Sequence, residues 1–284
     1  MVTRDIHPGQ YKTYVLTDPI AQTHLEIVPE RGGIITRWQV RGQDLLYLDG
    51  DRFADPSLSI RGGIPILFPI CGNLPDNTYT HQGKSYTLKQ HGFARDLPWT
   101  VSEQQPEDGL TLTLTSSDRT LAVYPFDFAL TFTYRLQGQE LLIEQRYENR
   151  SPEPMPFSTG LHPYFTVADK TQLQFDIPAT EFTNQINQTQ HPFSGKFDFE
   201  QPEIDVAFRQ VTRQHTSVIN AGHRLTLSYD PIYATIVFWT IKGKDYYCLE
   251  PWSAPRNALN SGKDLTWIKP GEAMETVVKL GVEF

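Results

Sequence analysis

Cysteine is scarce in this chain: Cys71 and Cys248 are the only two among 284 residues. That excludes a disulfide framework. Both lie in apolar surroundings, Phe68-Pro-Ile-Cys71 and Tyr246-Tyr-Cys248, which predicts small buried thiols. Long apolar runs are missing as well. No stretch approaches the roughly 18 residues a membrane-spanning helix needs, and Met1-Val-Thr-Arg-Asp-Ile-His-Pro8 lacks the apolar centre of a signal peptide. A cytoplasmic protein with no membrane partner is expected. Positive charge is in deficit, 25 basic against 33 acidic residues for a net of −8. General nucleic-acid binding depends on neutralising phosphates, so no nucleic acid is expected as partner. A small anionic ligand remains compatible, because one or two local arginines suffice for it.

Helical periodicity is nearly absent, while 21 prolines and 19 glycines punctuate the chain at short intervals. Period-two alternation fills the gaps. Leu110-Thr-Leu-Thr-Leu-Thr115 sets leucines on one face and threonines on the other, the pattern of a half-buried strand. Phe128–Tyr134 and Leu141–Tyr147 follow, joined across Gln137-Gly-Gln139 as a hairpin. Further strands are predicted over Lys12–Thr17, His24–Val28, Ile34–Val40, Ser85–Leu88, Leu173–Ile177, Arg224–Tyr229, Ala234–Thr240, Tyr246–Glu250 and Glu275–Val282. Residues 185–203 are polar and read as a long loop with one short strand. No composition shift or linker divides the chain. The expectation is an all-β protein, a large antiparallel β-sandwich forming a single domain over residues 1–284.

Three polar groups stand at the ends of strand-rich stretches: His91 in Gln90-His-Gly-Phe-Ala-Arg95, His162 in Gly160-Leu-His-Pro-Tyr-Phe165, and Glu250 in Leu249-Glu-Pro-Trp252. Two imidazoles and a carboxylate can supply an acid and a base to one small polar substrate. Alternation puts Glu250 on the face of Tyr246 and Cys248, where desolvation raises a carboxylic pKa. Pro251 cannot donate to a ladder, so the strand is expected to stop there or lie at an edge. Pro163 biases His162 towards extended backbone, with aromatic neighbours to fix its ring. Gly92 is expected to let a ligand approach the backbone, and Arg95 brings a fixed positive charge. The paired glycines of Arg61-Gly-Gly63 suggest close approach of backbone to backbone or ligand. Trp252, Phe165 and Tyr164 offer flat apolar faces to a sugar ring. The other six histidines, His7, His24, His81, His191, His215 and His223, sit in polar or turn contexts and are expected at the surface. His91, His162 and Glu250 would also satisfy a three-ligand metal centre. No short paired-ligand spacing supports that reading, so neither metal nor cofactor is expected. No Gly-x-Ser-x-Gly elbow, P-loop or dinucleotide fingerprint is present.

Taken together, Arg61-Gly-Gly-Ile-Pro-Ile-Leu-Phe-Pro69, His91-Gly-Phe-Ala-Arg95, His162-Pro-Tyr-Phe165 and Leu249-Glu-Pro-Trp252 resemble, in this order, the galactose mutarotase (aldose 1-epimerase) superfamily. The resemblance covers most of the chain and implies a large β-sandwich, the supersandwich of long antiparallel strands. It implies Glu250 as general base, His162 as general acid and His91 as an assistant at the ring oxygen or in binding. It further implies Arg61 and Asp205 as ligands of the sugar. Leu161 stands where typical aldose epimerases have asparagine. The Arg-Gly-Gly and Gln-His-Gly-Phe-Ala-Arg segments are closer to the hexose-6-phosphate epimerase branch, in which residues equivalent to Arg61, Gln90 and Arg95 contact substrate. Glu-Pro-Trp looks more like sugar epimerases found beside lactose genes.

The reaction implied is exchange of the α and β anomers of a hexose, free or phosphorylated, by ring opening and reclosure. Acid and base are expected on either side of the pyranose, with an ionised Glu250 and a histidine of raised pKa. Two rivals keep the same residues: a non-catalytic carbohydrate-binding protein and a cupin-like metal enzyme.

Overall fold

The computed structural model describes residues 1–209 and 211–284. Three large sheets, each built from antiparallel ladders, account for its architecture. An eight-stranded sheet runs in spatial order Gln174–Asp176, His215–Asn220, His223–Tyr229, Ala273–Glu283, Glu140–Asn149, Phe128–Gln137, Gly109–Thr115 and Thr100–Val101. A second sheet orders Gln190–Pro192, Glu181–Asn184, Glu203–Phe208, Thr235–Ile241, Tyr246–Trp252, Gly160–Leu161 and Ile66–Leu67, with Tyr164–Thr166 also pairing on Tyr246–Trp252. A five-stranded meander covers Thr3–His7, Thr13–Asp18, Thr23–Val28, Ile34–Val40 and Gln43–Asp44. Helices among the described residues are single short turns.

The alternation seen in the sequence decides which side chains go inward. One large apolar cluster draws on all three sheets: Leu110, Leu112, Phe132, Leu141 and Val278 from the first, Phe208, Ile236, Phe238 and Leu249 from the second, and Leu25 and Trp38 from the meander. A smaller cluster lies on the other face of the second sheet and contains Cys71, Tyr164, Ala207, Val237, Trp239, Tyr246, Cys248 and Trp252. Both cysteines are buried free thiols, as their neighbours predicted.

Every predicted strand is present within one to three residues at each end, including the short one, Gln190–Pro192, inside the 185–203 loop. Four expectations need correction. The Tyr246–Trp252 strand does not stop at Pro251; it runs on to Trp252, pairing with Ile236 alone at Pro251 and with both Thr235 and Gly160 at Trp252. His223 is buried at 4 % exposure, its Nδ1 3.1 Å from Gln43 Nε2. Phe165 belongs to the main core, packed on Tyr247. Gly92 admits backbone rather than ligand: with φ of 71°, a Cβ there would come within 2.2 Å of Phe68 O. Gly62 and Gly63 do the same against Leu48 and Ile35.

Candidate active site

The site stands on the outer face of the second sheet, and period two assembles it. Asp205 and Ala207 share that face with Val237 and Trp239 and with Cys248, Glu250 and Trp252. The registers Asp205↔Trp239, Ala207↔Val237, Val237↔Glu250 and Trp239↔Cys248 lay them side by side. Residues directly opposite in an antiparallel pair present their side chains to the same face.

His162 reaches this face because its strand is broken. Gly160 pairs with Trp252 and Tyr164 with Cys248, and the same register places His162 opposite Glu250. Ser253 N donates to Thr159 O at 2.8 Å, which makes that pair a hydrogen-bonded one. Antiparallel pairs alternate, so His162 and Glu250 form a non-hydrogen-bonded pair, the type with the closer side chains. The missing N–H of Pro251 then faces Leu161, where the ladder is interrupted, and that explains why a proline is tolerated inside the sheet. His162 N instead donates outward to Pro65 O at 3.0 Å. Its ring stacks on Tyr164 at 4.7 Å and 11° and meets the edge of Trp239.

His162 Nε2 lies 3.4 Å from Glu250 Oε1, and Trp252 Nε1 donates to Glu250 Oε2 at 3.0 Å. His162 Nδ1 has no hydrogen-bond partner among the described residues. His91 closes the third side, its ring 5.5 Å from His162 and 5.6 Å from Trp252. Gly72 N donates to His91 Nδ1 at 3.1 Å while His91 N donates to Gly72 O at 2.7 Å. With Nδ1 accepting, the neutral ring carries its proton on Nε2 and is a donor. Its φ of 66° is left-handed, a conformation that the two bonds to Gly72 hold in place.

Glu250, His162, His91, Arg61, Gln90, Arg95, Asp205 and Trp252 line one cavity of about 250 Å³, whereas Tyr164 and Phe165, also offered for a sugar ring, do not. Arg61 donates to Tyr164 Oη at 3.4 Å and lies over Trp239 at 5.1 Å. Arg95 donates to Gln90 O at 2.9 Å, and its Nε has no partner. Asp205 accepts from Gln185 Nε2 at 2.7 Å and from Arg256 at 2.8 Å. Arg256 is the residue the motifs missed. It also reaches Gln185 Oε1 and Asn73 Oδ1, and covers the face of Trp252 at 5.7 Å. Nothing in Pro255-Arg-Asn257 announces chemistry. Trp239 was more legible, because it shares the alternating face of a predicted strand. Trp252 differs from its expected role: one face lies under Arg256, and its indole N–H serves Glu250.

Burial dominates the electrostatics. It pushes Glu250 well above the usual carboxylate range, opposed by the Trp252 hydrogen bond and reinforced by Asp205. It holds His162 well below the usual imidazole range, helped by the charges of Arg95 and then Arg61. His91 is depressed by burial, then by Arg95 and His162. The expected rise for the acid histidine is therefore reversed by burial and the two arginines. A second geometric expectation also changes. At 3.4 Å, no ring fits between Glu250 and His162, so they stand together on one wall.

A family model described as aldose 1-epimerase matches residues 12–281. The chain belongs to the aldose 1-epimerase family. The Slr1438 protein from Synechocystis sp. PCC 6803 is 47 % identical over 100 % of this chain and 99 % of its own, with a TM-score of 0.94. A galactose mutarotase-like protein from Clostridium acetobutylicum shares the fold at 19 % identity and a TM-score of 0.83, covering 99 % of this chain and 98 % of that one. An Escherichia coli K12 protein with the provisional name glucose-6-phosphate 1-epimerase is 30 % identical over 162 residues, 55 % of this chain. That match spans half the length of the relative, 50 %. The family is one of isomerases, and the all-β sandwich expected from the alternation is the architecture of these neighbours.

Proposed function

We propose that this chain interconverts the α and β anomers of a hexose, with Glu250 and His162 as the proton-transfer pair. The observation that carries the reading is their 3.4 Å separation on one wall of a polar cavity. The two oxygens that exchange protons in anomerisation, the anomeric hydroxyl and the ring oxygen, are both bonded to C1. A side-by-side acid and base suits them. Glu250 takes the hydroxyl proton, His162 protonates the ring oxygen, and the C1–ring-oxygen bond breaks to give the open-chain aldehyde. Rotation about C1–C2 and closure on the other face return both protons. His91, a neutral donor through Nε2, steadies a sugar oxygen. Asp205, clamped by Gln185 and Arg256, accepts from sugar hydroxyls. Arg61, Gln90, Arg95 and Trp252 complete the binding surface.

A sugar 6-phosphate is favoured over a free sugar by one feature: Arg61 and Arg95 line the cavity without a carboxylate partner. After burial, these are the two charges that depress His162 most. An anionic substituent seated between them cancels that field and raises the acid towards its working range. Substrate binding thus supplies the loaded acid that the empty cavity disfavours.

The same proposal treats residues 1–284 as one domain, supported by an apolar cluster that draws on all three sheets. It places the protein in the cytoplasm, supported by two unpaired thiols. Among the described residues, no helix is long and apolar enough to cross a membrane. Polarimetry on freshly dissolved glucose and galactose, with an anomer-specific assay for glucose 6-phosphate, tests the function. Glu250→Gln is expected to lose roughly 10²–10⁴-fold in rate while sugar still binds by calorimetry. An undiminished rate in that variant removes Glu250 as the base, and sugar binding without any rate enhancement in the wild type leaves a binding protein.

A further inference from the structure

Beneath the acid/base pair lies a group that anomerisation does not use. Cys248 is two residues before Glu250 on the same strand and face, and it is fully buried. One ligand atom from each of His162, Cys248 and Glu250 lies within 4.8 Å of the other two. This is not the trio that sequence reading joins: His91 Nδ1 is occupied by the Gly72 amide.

We infer that His162, Cys248 and Glu250 form a binding site for a soft divalent cation of the Zn²⁺ class, whose entry silences the proton-transfer pair. Imidazole, thiolate and carboxylate are the three donor types that zinc takes, and three protein ligands with one open position is a stable arrangement for it. Bond lengths of about 2.0–2.3 Å around a tetrahedral ion set ligand atoms about 3.3–3.6 Å apart. The His162–Glu250 contact of 3.4 Å already has that spacing. Sγ, within 4.8 Å of the other two atoms, needs to close by up to about 1.2–1.5 Å to reach that spacing. Two of the three ligands, His162 and Glu250, line the cavity.

The charges balance. The ion displaces the thiol proton and the carboxyl proton, and the resulting thiolate and carboxylate neutralise the dication. Burial opposes either anion alone, whereas a bound dication removes that objection. Arg61 and Arg95 work against a cation, so binding is weaker than at a structural zinc site. Sugar and metal need the same two side chains and therefore exclude one another.

The inhibition arm of the test rests on the proposed function, whereas the binding arm does not. Titration of ZnCl₂ into chelator-treated full-length protein is expected to show one site per chain, and CoCl₂ to develop thiolate-to-metal charge-transfer absorption. Cys248→Ser and Cys248→Ala, checked for native circular dichroism, should lose the absorption and bind zinc on the order of 100-fold more weakly. Both should keep their metal-free anomerisation rate and escape zinc inhibition. No binding to the wild type, or equal binding and absorption in the wild type and both variants, overturns the site. If the protein shows no anomerisation at all, the titration and the cobalt spectrum still decide the metal site.

Discussion

At the scale of single residues, the site is built by refusing charge to groups that must carry it. Glu250 is 1 % exposed, and among the described residues its hydrogen-bond donor is the Trp252 indole. That donor stabilises the ionised carboxylate against the burial that raises its pKa. Trp252→Phe removes the donor and keeps most of the ring, so the carboxylate should titrate higher still. Activity is lost as pH falls through the pKa of the base, and the acid limb of the rate profile should therefore move to higher pH. A hydrogen bond to a charged group is worth about 1.5–3 kcal/mol net, and it is expressed in the pKa of Glu250, so the plateau rate, once the base is ionised, should change by less than about tenfold. A limb that stays in place, measured across the pH range, removes the indole from the control of Glu250. The same burial carries a stability cost. Between the unfolded carboxylate pKa and the raised folded one, the unfolded chain has released its proton and the folded chain has not, so stability falls as pH rises through that window. Glu250→Gln cannot ionise in either state. It should be more stable at neutral pH by about 0.5–2 kcal/mol, read from urea denaturation midpoints, with the gain absent below the ordinary carboxylate range.

At the scale of elements, two prolines and one glycine position the chemistry. Pro163 and Pro251 sit where the ladder between Leu161–Pro163 and Leu249–Pro251 lapses, and the lapse lets His162 and Glu250 face each other. The loop with His91 is held by Gly92 against the Phe68 carbonyl. Gly92→Ala forces a Cβ into that oxygen in a left-handed backbone, and should destabilise by about 2 kcal/mol or more. It should also shift His91, so that sugar affinity drops more than stability alone explains. Thermal unfolding together with calorimetry at a temperature where the variant is fully folded separates the two effects. This local logic marks what the chain discloses by itself. Long strands such as Phe128–Gln137 and Glu140–Asn149 are legible because each buries one face, and period two records it. The short strands Ile66–Leu67 and Gly160–Leu161 are too brief for a period to show. Pro251 misleads because its tolerance depends on a gap in a partner strand, which only tertiary pairing creates. His162 and Glu250 are recognisable as chemical groups, and the alternation around Glu250 foretells its raised pKa; the fall at His162 comes from burial in the folded sheet, with arginines far away in the chain adding to it.

For the whole molecule, a net charge of −8 coexists with a cavity lined by Arg61, Arg95 and Arg256. Arg256 is matched by Asp205 at 2.8 Å, whereas Arg61 and Arg95 form no ion pair among the described residues. The overall negative field repels an anionic substrate at long range, and that repulsion is screened by salt within about 10 Å at 0.1 M. Capture of a sugar phosphate must therefore depend on contacts inside the cavity. Arg95 is the more telling of the two free arginines, because its Nε is buried with no partner. Arg95→Ala should raise KM for glucose 6-phosphate by roughly 10–100-fold, the loss of one or two charge-assisted hydrogen bonds. For free glucose the effect should have the opposite character. No phosphate contact is lost, and a charge that depresses His162 is gone, so the alkaline limb of the kcat profile should move to higher pH. Steady-state kinetics on both sugars across pH reads the two effects separately. Equal loss on both sugars would make Arg95 a support for the Gln90 backbone rather than an anchor for phosphate.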